Sequence, residues 1–191
     1  MRLFVAVLPP SARLAELGLA VDELQTLPGA DRLRWADRDD WHLTLAFLGE
    51  VDEAVLADLH DRLARAAHRT PPFELRLHGG GRFGDKVLWA GVAGALDTLR
   101  LLAERADAAA RRAGVPMDEH RRYHPHLTLA RSRAGLDLHP YTESLGAFEG
   151  AGWQVGELVL VRSRLPVAGV AGERPRYEPV GVWPLGPGQG A

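Results

Sequence analysis

The chain has no cysteine in its 191 residues. Disulfides, thiolate metal sites and a cysteine nucleophile are therefore excluded. Lysine is almost absent: Lys86 is the only one, and every other basic side chain apart from histidine is an arginine. There is no excess of positive charge, because 23 basic residues meet 25 acidic ones for a net charge of −2. A protein that holds long nucleic-acid tracts through many phosphates is ordinarily basic, so extended non-specific binding to RNA or DNA is excluded as its main task. No apolar run approaches the ~20 residues of a membrane span. Met1 to Pro9 is too short for an export signal and reads as a first strand, which makes the cytoplasm the expected compartment. No Gly-x-Ser-x-Gly or other nucleophile pattern occurs.

What the chain does have is one phrase used twice. His42-Leu43-Thr44-Leu45-Ala46 and His126-Leu127-Thr128-Leu129-Ala130 are identical. Five matching residues in a chain of this length read as an internal repeat that carries chemistry. Both copies alternate polar and apolar, the period of a strand with one buried face. The His and Thr of each copy then share a face, and the leucines enter a core.

The remaining segments supply a frame for the two copies. Arg2 to Leu8 predicts a buried strand ended by Pro9-Pro10, and Ser11 a cap for a helix over 12–24. The helix has Leu14, Leu17, Val21 and Leu24 on one stripe. A short strand is expected over Leu33 to Ala36, a polar turn over Asp37 to Asp40, and an amphipathic helix over Val51 to His68. In the second half, strands are expected over Phe73 to Leu77 and Val87 to Val92, and a helix over Gly94 to Ala113. An exposed segment, Val115 to Tyr123, leads into the second motif strand, followed by a short helix over Leu138 to Phe148. Trp153 to Arg162 reads as one strand, Pro166 to Pro175 as a loop, and Tyr177 to Leu185 as a closing strand. Gly79 to Gly84 follow a strand but open no helix, so they lack the setting of a phosphate-cradling loop. They predict a tight β connection that projects Phe83, either to stack on a base or to pack in the core.

No linker divides the chain, and each motif strand is flanked by helices. The pattern predicts an α+β fold: a single bilobal, pseudo-two-fold domain over 1–185. Two antiparallel sheets would face a central cleft, with helices outside and a flexible Gly/Pro tail over 186–191. A monomer with no protein partner is expected.

Two imidazoles across a cleft can act as general base and general acid at neutral pH. Phosphoryl transfer asks mainly for in-line positioning and stabilised non-bridging oxygens, which nearby threonine hydroxyls can provide. The layout fits hydrolysis of a ribose cyclic phosphate with no metal and no cofactor. A zinc site is the competing reading, because His120, His124 and His126 are close in sequence and the His124-Pro125-His126 step puts two imidazoles on one side. Against it, no paired carboxylate accompanies the first motif. His60, His68, His78 and His139 are expected to be solvated. Arginines crowd Arg111, Arg112, Arg121, Arg122, Arg131 and Arg133 and return at Arg162, Arg164, Arg174 and Arg176, either to recognise phosphate or to solvate surface faces.

In ordered segments across nearly the whole chain the sequence resembles the 2H phosphoesterase superfamily, specifically the RNA 2′,3′-cyclic phosphodiesterases once called 2′-5′ RNA ligases. These segments are Arg2 to Pro9, Leu33-Arg34-Trp35, His42 to Val51, Phe73 with Gly79 to Phe83, Val87 to Val92, His124 to Arg131 and Tyr177 to Leu185. The resemblance implies a two-lobed α+β fold with a V-shaped cleft. It implies metal-independent opening of the 2′,3′-cyclic phosphate at an RNA end to a 2′-phosphate, with reversible 2′-5′ joining as a side activity. By position, His42 would be the proton donor, His126 the proton acceptor, Thr44 and Thr128 the phosphate holders, and Arg131 a supporting contact. Ala46 departs from the pattern, since many relatives carry a basic residue there on the motif face. Two alternatives stay open: the same chemistry on a small cyclic nucleotide or an ADP-ribose cyclic phosphate, and a non-catalytic binder of RNA ends.

Overall fold

Alternating apolar residues make nine strands and apolar stripes make four helices in a computed structural model, which describes residues 1–119, 122–166 and 175–187. In chain order these are β1 (Arg2–Val7), α1 (Ser11–Leu24), β2 (Arg34–Trp35), β3 (Leu43–Glu50) and α2 (Leu56–His68). Then come β4 (Phe73–Phe83), β5 (Val87–Gly94), α3 (Leu96–Arg112), β6 (Leu127–Arg131) and α4 (His139–Leu145). The last three are β7 (Trp153–Val155), β8 (Glu157–Arg164) and β9 (Arg176–Pro184). The strands form two sheets, ordered β3-β1-β8-β9 and β2-β6-β5-β4-β7, and every pairing is antiparallel.

The expected pseudo-symmetry is visible in this order. The run β1-α1-β3-α2 recurs as β5-α3-β6-α4, and β8 lies beside β1 as β4 lies beside β5. Strand β2 breaks the symmetry, because it adds to the edge beside β6 and has no counterpart beside β3. One hydrophobic core serves both sheets. It joins Leu3, Val5 and Leu43 of the first sheet to Leu75, Leu88, Leu127 and Leu129 of the second, with Leu17, Leu59, Leu63 and Leu99 from the helices. On the other face of the first sheet, Phe4, Ala6, Val159 and Val161 form a small separate cluster.

Five expectations change. Ser11 is the first helical residue rather than a cap: Pro10 precedes the helix in extended conformation, and no side chain caps it. The glycine run is only partly a connection: β4 continues through it to Phe83, and the tight turn to β5 begins at Gly84. A Cβ on Gly81 would lie 2.3 Å from the Trp89 ring, so the absent side chain lets the indole cross the strand. Trp153 to Arg162 is two strands, since Gly156 carries the chain from β7 in the second sheet to β8 in the first. Val115 in the expected exposed segment is buried, and the Tyr123 hydroxyl is enclosed with no partner among the described residues; burial raises its pKa. Gly186, expected in the tail, donates its N–H to the Ala67 carbonyl at 3.1 Å. His120, Arg121, residues 167–174 of the segment expected as a loop, Arg174 among them, and residues 188–191 lie outside the described residues.

Candidate active site

Each motif histidine precedes its strand and is fixed by the backbone two residues earlier. His42 Nδ1–H donates to the Asp40 carbonyl at 2.6 Å, and His126 Nδ1–H donates to the His124 carbonyl at 2.7 Å. The same local arrangement thus sets the same tautomer in both copies and leaves Nε2 without a backbone partner. His42 Nε2 is 3.0 Å from Thr44 Oγ1. Among the described residues, His126 Nε2 makes no comparable bond to Thr128. Both histidines and both threonines are half-buried, while Leu43, Leu45, Leu127 and Leu129 enter the core, as the alternation requires.

The two imidazoles share one electrostatic environment. Burial is the main influence lowering the pKa of His42; the bond to Asp40 opposes it, and the charge of His126 lowers it further. Burial also leads in lowering His126, opposed by the bond to His124, with the charges of His124 and Arg131 adding to the depression. The charge of His126 is felt at His42, although the two copies lie in different sheets.

Aromatic rings line both sides. Phe4 stacks on His42 with centroids 4.6 Å apart and planes 28° apart, and Tyr177 meets His42 edge-on at 5.4 Å. Opposite them, Phe83 meets His126 edge-on at 4.9 Å, and Trp89 lies 4.9 Å from His124 and 6.2 Å from His126. Phe83 is 37% exposed, so it forms part of the wall beside His126 rather than filling the core. Phe4, Trp89 and Tyr177 were not singled out from the sequence. Only the pairing of β1 with β3, β5 with β6 and β9 with β8 brings them here.

The register also corrects the face assignment at Ala46. Val5 pairs with Ala46 and Ala6 with Thr44, which leaves Leu45 as a bulge. The bulge turns Ala46 into the core and returns Phe47 to the motif face, where it is 53% exposed. Leu129 is bulged in the same way between Thr128 and Ala130, which places Arg131 on the face of His126 and Thr128. Arg111 and Arg164 instead pair with Asp107 and Glu178 on solvated surfaces. His68, His78 and His139 are exposed as expected, but His60 packs edge-on against Trp183.

Among the described residues no group of three His, Asp or Glu side chains is arranged to hold a metal ion. His124 and His126 have ring centroids 6.3 Å apart. No helix among the described residues is long and apolar enough to cross a membrane.

The family model of the 2′-5′ RNA ligase superfamily matches residues 9–165. An RNA 2′,3′-cyclic phosphodiesterase of Geobacillus stearothermophilus is 32% identical over 192 residues, which take in 95% of this chain and 56% of that protein. This chain thus spans little more than half the length of that relative. An RNA 2′,3′-cyclic phosphodiesterase of Thermus thermophilus is 34% identical over 88% of this chain and 85% of its own. The crystal structure of Escherichia coli LigT in apo form superposes with a TM-score of 0.74 at 28% identity, covering 97% of both chains.

Proposed function

The chain belongs to the 2′-5′ RNA ligase superfamily, and from that premise we propose that it hydrolyses 2′,3′-cyclic phosphates at RNA ends to 2′-phosphates. The observation that carries this reading is the matched pair of imidazoles. Each is held at Nδ1 by a backbone carbonyl two residues earlier, and the charge of His126 reaches His42.

In this reading His126 Nε2 takes a proton from water as the water oxygen attacks phosphorus. The P–O3′ bond breaks, and His42 Nε2–H protonates the departing O3′. Water thus supplies the new P–O bond, and the ribose regains its 3′-hydroxyl. Thr44 and Thr128 hold the non-bridging oxygens, with Arg131 beside Thr128. Before transfer the protonated His42 rests its Nε2–H on Thr44 Oγ1, so the threonine hydroxyl turns its own hydrogen to the phosphate, and the departing O3′ then replaces that oxygen as the acceptor. Burial keeps both imidazoles readily deprotonated in the free protein. An arriving phosphate anion favours the protonated form of the donor, so the substrate itself helps to charge the acid.

The cyclic phosphate is held without a metal or cofactor in this scheme, because the two imidazoles supply both proton transfers. The test is a product assay on an oligonucleotide ending in a 2′,3′-cyclic phosphate, with and without EDTA. A 2′-phosphate formed equally well with the chelator is expected. A 3′-phosphate product, or activity lost to EDTA and restored by zinc, would overturn the reading.

A further inference from the structure

Arg34 and Arg131 are cross-strand partners in the β2–β6 ladder. Residues directly opposite share a face, so Arg34 joins the face that carries Thr128 and His126. Like charges placed opposite one another are unfavourable, and neither guanidinium has a carboxylate partner among the described residues. Arg82, exposed like them, does have one, in Asp85, and the half-buried Arg62 and Arg76 pair with Asp58 and Glu149. A third cation approaches from the first sheet, where the Arg2 guanidinium lies 5.1 Å over the Phe47 ring and has no carboxylate partner among the described side chains.

The three cations lie within electrostatic reach of one hydroxyl. Tyr177 stands edge-on to His42, and the charges acting on its phenol are those of Asp40, Arg131, Arg2 and Arg34. Asp40 is the opposing charge of this set, and its carbonyl is the anchor of His42 Nδ1. The reacting phosphate in the proposed reaction is already served by two threonines and Arg131. Two further forked cations on the same cleft exceed what one cyclic phosphate monoanion can engage. Strand β2, which exists only beside β6, is the element that delivers Arg34.

We propose that Arg34, with Arg2 opposite, binds a second phosphate of the substrate, the 5′-phosphate or phosphodiester of the nucleotide that bears the cyclic end. This inference rests on the proposed hydrolysis and names its substrate class: a nucleotide carrying a 5′-phosphate in place of a bare nucleoside cyclic phosphate. It also gives a chain with net charge −2 a short, local way to hold RNA. Two phosphates are gripped, and the rest of the polymer is left free.

The test compares kcat/KM for a nucleoside 2′,3′-cyclic phosphate with and without a 5′-phosphate. A preference of roughly five- to tenfold for the 5′-phosphorylated substrate is expected, the size of one partly exposed charge-assisted contact. In Arg34→Gln the ratio should fall toward one, and Arg34→Lys should restore part of it by returning the charge without the fork. Arg62→Gln removes the same charge from α2 and should keep the wild-type ratio. Added salt should erode the preference. Equal turnover of both substrates by wild type, or equal slowing of both by Arg34→Gln, would overturn the second site.

A binding arm does not depend on turnover. Adenosine 2′,5′-bisphosphate should bind wild type more tightly than adenosine 2′-monophosphate, and Arg34→Gln should remove the difference. If neither cyclic substrate is hydrolysed, the proposed function fails, and this titration still decides the second site. Equal affinities in wild type would dispose of it.

Discussion

Phe47 and Arg131 occupy the same place in the two halves of the molecule. Each lies three residues past a motif threonine, and each regains the motif face because the intervening leucine, Leu45 or Leu129, is bulged out of register. Two identical pentamers therefore end in an aromatic ring on one side and a guanidinium on the other. The charge of Arg131 lowers the pKa of His126, whereas His42 has the stacked ring of Phe4. Identical motifs can thus divide into a base and an acid. Removing the positive charge in Arg131→Gln should raise the pKa of His126, so the acid limb of kcat/KM should move to higher pH. Phe47→Leu should leave that limb in place. An NMR titration of the two imidazoles reads the result directly, and an unmoved His126 midpoint in Arg131→Gln would remove Arg131 from its role.

His42→Ala and His126→Ala should each lower kcat by roughly 10²- to 10⁴-fold, the range for loss of one general acid or base. Both side chains are half-buried and project from strand starts, so the fold should persist. Circular dichroism and thermal unfolding check this. The double variant should be little worse than either single one, because the two groups act in one step. Near-wild-type turnover by either single variant would sink the paired mechanism.

How much of this was legible in the sequence follows from what is local and what is not. Alternation and helical stripes come from neighbouring residues. The β1 strand and the α1 stripe through Leu17, Val21 and Leu24 were therefore readable, as were the inward motif leucines. The repeated pentamer likewise exposed His42, Thr44, His126 and Thr128 without any knowledge of pairing. The bulges at Leu45 and Leu129, the change of sheet at Gly156 and the Arg34–Arg131 contact depend on which strands lie side by side. Gly79 to Gly84 misled for the same reason. Gly81 admits the Trp89 ring from the next strand while Gly84 opens the turn, and a glycine run alone cannot distinguish the two.

The depressed histidines tie activity and stability to pH in a fixed direction. In the unfolded chain both imidazoles return to the ordinary value near 6.5. Lowered folded-state values mean that the unfolded chain binds more protons as pH falls through that range. The stability they allow is thus complete above about pH 6.5 and is lost as pH falls toward the folded values. Chemical denaturation should show a decline below pH 6.5 that is shallower in His42→Gln. The kcat/KM profile of the free enzyme should be a narrow bell centred on the acid side of 6.5, with the kcat profile displaced upward by the bound phosphate. A bell centred well above pH 7 for kcat/KM would contradict the burial of both groups.

Gly81 ties the fold to the wall of the site. A methyl group there would fall 2.3 and 2.4 Å from two atoms of the Trp89 ring, well inside contact distance. The indole lies between this strand and the second motif, 5.4 Å from Phe83 and 4.9 Å from His124, so yielding displaces it against those rings. Gly81→Ala should therefore destabilise the protein by about 1–3 kcal/mol, as overpacking does. It should also lower kcat/KM, because a displaced Trp89 pushes Phe83 against His126. Replacing the ring by a smaller one supplies the check. In a Trp89→Leu background the added methyl meets less bulk, so the further cost of Gly81→Ala should shrink by more than the ~0.5 kcal/mol expected of independent sites. Thermal unfolding of the four proteins in that cycle measures the coupling, and additive losses would show that Gly81 is kept for some reason other than the indole.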